Sequence, residues 1–183
     1  MAAREPFVAV MGGFWEVDSK DAVEAKKAAK VIGIELAKAG FGIVVYNSDD
    51  ASLEPHVVEG YVSALSEGKG KIRVRCTKSQ TKDVKFKEDQ RDGLFEYRDF
   101  TQPDWQAPFF RSLAEDGSAD GVILMAGAQT VLIAGNIALA RRLPILAVDE
   151  FGGSAERYGL NSLNTIPPSR PGIEGLPKYS FRT

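Results

Sequence analysis

Four short stretches of this sequence carry residues suited to holding an anionic small molecule: Gly12-Gly13-Phe14, Asn47-Ser48, Ala126-Gly127-Ala128-Gln129-Thr130 and Phe151-Gly152-Gly153. Glycine and alanine let a ligand approach the backbone. A helix starting near Thr130 would aim unpaired N–H groups at a phosphate. Asn47 and Ser48 add neutral hydrogen-bonding groups. Arg73 and Arg75 stand two apart, so an extended segment places both guanidinium groups on one side, where each can pair with phosphate oxygens or with a second subunit. Each feature also has a structural reading, in which the glycines only turn the chain and the arginines lie on a solvated face. The recurrence of such residues after apolar runs favours a site.

Other candidates are weaker. Asp49, Asp50, Glu54 and Glu59 offer carboxylates for ribose hydroxyls or for acid catalysis, but acids are common at helix starts because they complement the helix dipole. Trp105, Phe109 and Phe110 have helical spacing, which reads as core or interface rather than a base-stacking platform. His56 is the single histidine and Cys76 the single cysteine, so no metal-ligand cluster is expected and His56 reads as structural. Gly68-Lys69-Gly70-Lys71 lacks the glycine spacing and the following Ser or Thr of a phosphate-binding Walker loop. No Gly-x-Gly-x-x-Gly follows the first apolar run either, so neither ATP hydrolysis nor a simple dinucleotide-dependent dehydrogenase is indicated. No cofactor is expected. Residues 69–91 hold nine basic and three acidic side chains. A solvated face is the plain reading for Lys82 to Arg91.

The elements that must position these residues follow from periodicity. Phe7-Val8-Ala9-Val10-Met11 is a continuous apolar run closed by glycine, as in a strand buried on both faces. Apolar residues at Ala22, Ala25, Ala29, Ile32, Leu36 and Ala39 predict an amphipathic helix over 19–39, capped by Asp18 or Ser19 and stopped by Gly40. A second strand is expected over 41–46, a helix over 53–65, and a strand over 71–76 whose alternation suggests one polar face. Residues 77–92 read as a loop before a short strand near 94–97. A helix over 105–115, a buried strand over 121–125, a helix over 130–142 and a strand over 144–148 complete the series. Strands alternating with helices predict an α/β doubly wound, mainly parallel sheet of six to seven strands with helices on both faces.

A chain of 183 residues, 44% hydrophobic and 26% charged, suits one globular domain, expected over residues 5–158. Residues 159–183 contain four prolines without periodicity and read as a Pro-rich tail, or a linker to a possible further effector domain beyond the C-terminus. A net charge of -2 gives no general field for nucleic acid. One cysteine fits the cytoplasm, and no apolar run is long enough to span a bilayer, so no membrane contact is expected within this chain.

Val10-Met11-Gly12-Gly13, the stretch from Ala39-Gly40 to Tyr46, and above all Ala119-Asp120-Gly121-Val122-Ile123-Leu124 through Ala134-Gly135 resemble the SLOG superfamily. That group unites LOG phosphoribohydrolases, Smf/DprA proteins and ligand-sensing domains attached to Sir2, TIR or membrane effectors. The resemblance covers about residues 5–158 and implies a Rossmann-like fold. Pro144-Ile145-Leu146-Ala147-Val148 with Phe151-Gly152-Gly153 is similar to the sensor branch. LOG enzymes carry Pro-Gly-Gly-x-Gly-Thr-x-x-Glu. The matching stretch here runs from Met125 to Ile133, keeping Gly127 and Thr130 but placing Ile133 at the glutamate position. An aliphatic side chain neither transfers a proton nor stabilises an oxocarbenium ion. The resemblance therefore implies a homo-oligomeric sensor of a nucleotide-derived signal, such as a cyclic ADP-ribose-like molecule, regulating an effector in anti-phage defence. The alternative it leaves is a LOG-like nucleotide phosphoribohydrolase or nucleosidase using another acid, such as Glu54 or Glu59.

Overall fold

The computed structural model describes residues 5–14, 20–65, 70–88, 93–101, 104–114 and 118–162. Six strands, β1 (Phe7–Gly13), β2 (Gly42–Val45), β3 (Ile72–Thr77), β4 (Phe95–Phe100), β5 (Gly121–Ala126) and β6 (Ile145–Val148), form one sheet in the order β4-β3-β2-β1-β5-β6. Every pairing is parallel. This is the expected α/β doubly wound, Rossmann-like class. The chain winds outward from β1 to β4 on one side and then restarts at β5 on the other, so the switch point lies between β1 and β5.

The reason for this architecture is visible strand by strand. β2 and β5 are buried along their whole length, as runs without alternation require when both faces are covered. α1 (Lys20–Lys38) and α2 (Glu54–Ala64) cover one face, where Ala25, Ala29, Val57, Val58 and Tyr61 meet Val10, Ile43 and Val74. α3 (Ala107–Ala114), α4 (Gln129–Ala140) and α5 (Glu156–Ser162) belong to the other, where Phe109, Leu113, Val131, Ala134 and Tyr158 meet Phe7, Ala9, Met11 and Leu124. Gly40 adopts φ +77° just beyond α1, the left-handed stop its position suggested. The expected cap residues Asp18 and Ser19 lie outside the described residues.

The polar side of β3 is covered: Arg75 is only 4% exposed, because β4 pairs alongside and Glu96 meets its guanidinium. α5, running through residue 162, is a helix that the sequence did not lead us to expect, and Tyr158 is held by hydrogen bonds to Leu132 O (2.7 Å) and Asn136 Oδ1 (3.1 Å). The remainder of the expected tail lies outside the described residues.

Candidate functional site

At the carboxyl ends of β1, β2, β3 and β5 a cleft of about 370 Å³ opens. Its floor is the backbone of Gly12, Gly13 and Gly127. The Gly127 N–H bonds Gly13 O at 3.0 Å and the Leu53 N–H bonds Gly12 O at 3.0 Å, tying β1 to the turns on both sides. Ala126 and Gly127 both hold positive φ, +46° and +73°. Alanine disfavours that region, so the turn into α4 carries strain where the cleft lies. Gly152-Gly153 buttress this turn from outside the cleft: the Ser154 N–H bonds Gly127 O at 2.8 Å.

α4 begins beside the floor with Ala128 at its N-cap and no side-chain cap. Its first N–H groups therefore remain available to an acceptor, and Ala128 and Thr130 line the cleft. Arg75 lines the same cleft from β3. Its Nη2 donates to Glu96 Oε1 at 2.7 Å and its Nη1 to Glu96 O at 3.1 Å. An aromatic wall closes one side. Tyr46 and Phe109 meet edge to face at 4.8 Å, Trp105 and Phe109 at 6.0 Å, and Trp105 remains 40% exposed. The Tyr46 hydroxyl pairs with Ser112 Oγ at 2.5 Å, and burial raises its phenol above the ordinary range.

Glu54, at the start of α2, also lines the cleft and is 4% exposed. Its Oε2 accepts the Ser52 hydroxyl at 2.8 Å and the Asn47 N–H at 2.9 Å. Burial dominates over these two bonds, and Asp49 adds repulsion, so the carboxyl is pushed up to about 8. Among the described residues no group of His, Cys, Asp and Glu is arranged to hold a metal ion.

Of the residues singled out from sequence, Gly12, Gly13, Phe14, Asn47, Arg75, Gly127, Ala128 and Thr130 converge on this cleft. Six do not. Ser48 turns away, its hydroxyl accepting the Lys85 N–H at 3.0 Å. Arg73 sits towards the other end of β3, with its guanidinium 3.6 Å from the Phe7 ring centroid and its Nε 3.5 Å from Glu96. Gln129 opens α4 without lining the cleft, Phe151 packs against the α1–α2 core, and Gly152 and Gly153 support the Gly127 turn. Sequence reasoning undervalued Glu54, Trp105 and Phe109 and missed Tyr46, Ser52 and Gln80. Glu59, the other acid considered, pairs with Lys30 at 2.6 Å on the surface. Ile133 lines a separate shallow groove with Phe110 and Ile137, not the cleft.

The fold and cleft define a Rossmann-like α/β domain with a small-molecule-sized pocket at its switch point. No known family model matches the chain, and no curated protein matches it. Solved structures do. The molybdenum cofactor binding protein from the phototrophic bacterium Rippkaea orientalis is similar at 19% identity and TM-score 0.62, over 90% of this chain and 88% of that one. The structural genomics target TM1055 is similar at 21% identity and TM-score 0.57, over 83% and 79%. A Moco carrier protein from Chlamydomonas reinhardtii is similar at 17% identity and TM-score 0.57, over 88% and 85%. These likenesses show a shared Rossmann-like α/β fold. Among the described residues no helix is long and apolar enough to cross a membrane.

Proposed function

We propose that this chain is a ligand-sensing domain whose cleft binds a nucleotide-derived small molecule, a cyclic ADP-ribose-like signal or a related nucleotide. The observation that carries the reading is the convergence, in one cleft, of an uncapped helix N-terminus, a buried arginine and an exposed-edge aromatic wall. Phosphate would lie on the α4 end, where backbone N–H groups and the helix dipole favour negative charge, and a planar base against Trp105. Ile133 lies outside the cleft, so the position of the LOG glutamate takes no part in it. By the SLOG resemblance, the domain works in the cytoplasm as a homo-oligomer and regulates an attached or associated effector in anti-phage defence. The mechanism is linkage: a ligand that prefers one arrangement of subunits shifts the population towards it.

Thermal unfolding with cyclic ADP-ribose isomers, ADP-ribose and cyclic dinucleotides tests the reading. A true ligand raises the melting temperature by mass action. Thr130 is exposed, so Thr130→Asp is expected to fold normally yet lose at least tenfold in affinity, because it sets a negative charge at the helix end. Unchanged affinity in that variant would remove phosphate from α4.

Two other readings rest on specific observations. Two of the similar proteins are a molybdenum cofactor binding protein and a Moco carrier protein, so that cofactor belongs in the same binding screen as a cargo. Glu54, a buried acid in the cleft, favours a nucleosidase. Incubation with nucleoside monophosphates followed by chromatography for free base decides it. We expect no turnover, and steady release of base abolished by Glu54→Gln would replace the sensor by an enzyme.

A further inference from the structure

The arrangement that suits an anion leaves one cleft group unexplained, the carboxyl of Glu54. Both of its donors, the Ser52 hydroxyl and the Asn47 N–H, converge on Oε2, while Oε1 takes neither. The titratable and charged groups around it are Asp49 from the β2–α2 loop, the Tyr46 phenol at the end of β2 and Arg75 from β3. Arg75 is engaged by Glu96, and among the described residues no lysine or arginine forms an ion pair with Glu54. An ionised carboxylate here would share a poorly solvated cleft with the ligand's phosphate, and like charges in such a place repel strongly.

We propose that Glu54 is a specificity-determining residue that must be neutral for the cleft to fill, donating its proton from Oε1 as a hydrogen bond to an acceptor on the bound ligand. The cleft then takes a phosphate-bearing ligand with a carbonyl or ring-nitrogen acceptor, and it loses that ligand as the carboxyl ionises. This inference rests on the ligand-binding reading above. Neutrality is the resting state near pH 7, since burial holds the carboxyl up to about 8. Above that value each ligand bound must bring one proton from solvent. A glutamine at this position reproduces the neutral geometry: its oxygen can accept from Ser52 and Asn47, and its amide N–H can donate into the cleft.

ADP-ribose is a suitable probe because its phosphate charge is constant across the range needed. Calorimetric titration of the full chain from about pH 7 to about pH 9 is expected to show Kd rising about tenfold, with proton uptake at the upper end, while Glu54→Gln holds one affinity throughout. A carboxyl carbon resonance of Glu54 that titrates near 8 in the free protein would support the inference. A resonance titrating in the ordinary carboxylate range would overturn it. A Kd that does not change with pH, still weakened by Thr130→Asp, leaves the ligand-binding reading standing and removes this one. No binding of ADP-ribose at any pH counts against both.

Discussion

Glu54→Gln is expected to make the protein markedly more stable than the wild type at alkaline pH and no more stable near pH 5. The carboxyl is buried without a cation, and its folded value lies near 8 against 4.5 for the free side chain. A raised acid contributes its full stability only below the unfolded value. That contribution drains away as pH rises towards the folded value, because over this window the unfolded chain releases a proton that the folded chain keeps. The difference amounts to roughly 3–5 kcal/mol once pH exceeds about 8. For a domain of this length that is on the order of 10 °C in melting temperature. Denaturant or thermal unfolding of both proteins between about pH 5 and pH 9 measures it. Glutamine keeps the bonds from Ser52 and Asn47, so the gap should open as pH rises from the unfolded value of 4.5 and level off once the folded carboxyl ionises above about 8. A gap of equal size at pH 5 and pH 9 would show that the two side chains differ in packing instead. The wild type retaining a destabilising acid in its cleft is the usual signature of a site kept for function.

Much of the architecture was legible because buried parallel strands write themselves as unbroken apolar runs. Phe7–Met11 and Gly121–Met125 could be nothing else once glycine turns closed them, and Gly40 ended α1 as its position demanded. The site was half legible. Glycine-bearing strand ends pointed to the right edge of the sheet, since the switch-point rule needs only strand order. Arg73 and Arg75 were separable in principle: two residues along a strand are about 6.6 Å, so only the later one reaches the carboxyl end. The burial of Glu54 was not legible, because an acid in the first turn of a helix has the same sequence context whether solvent or a cleft lies beyond it. Nor was the aromatic wall, which exists because α3 lays Phe109 against Tyr46, two residues 63 positions apart. Only the tertiary fold makes that contact.

The second large effect concerns the contact that carries Glu54 into place. α1 and α2 cross so closely that a Cβ on Gly33 would stand 2.0 Å from Val57 O and 2.7 Å from Tyr61 N, while one on Gly60 would stand 2.0 Å from Lys30 O. All three are backbone atoms, which cannot rotate aside as a side chain can. Gly33→Ala and Gly60→Ala must therefore push the helices apart, and overpacking of this kind costs about 1–3 kcal/mol or more. The better helix propensity of alanine returns only about 1 kcal/mol. We expect each variant to lose about 1–2 kcal/mol net, and the double variant less than the sum, because one displacement relieves both clashes. Gly40→Ala is the informative contrast. Nothing lies within 4 Å of its Cβ position, so its cost is that of a left-handed alanine alone, about 1 kcal/mol. Urea unfolding of the four proteins separates packing from backbone strain, and losses under 1 kcal/mol at Gly33 and Gly60 would mean that the crossing yields easily. The consequence reaches the cleft. Ser52 and Glu54 enter it at the head of α2, so a helix driven outward admits water to the carboxyl, whose burial is the largest cause of its raised value. Gly60→Ala should then lower the Glu54 titration towards the ordinary carboxylate range while the aromatic wall, built on α3 and β2, stays in place.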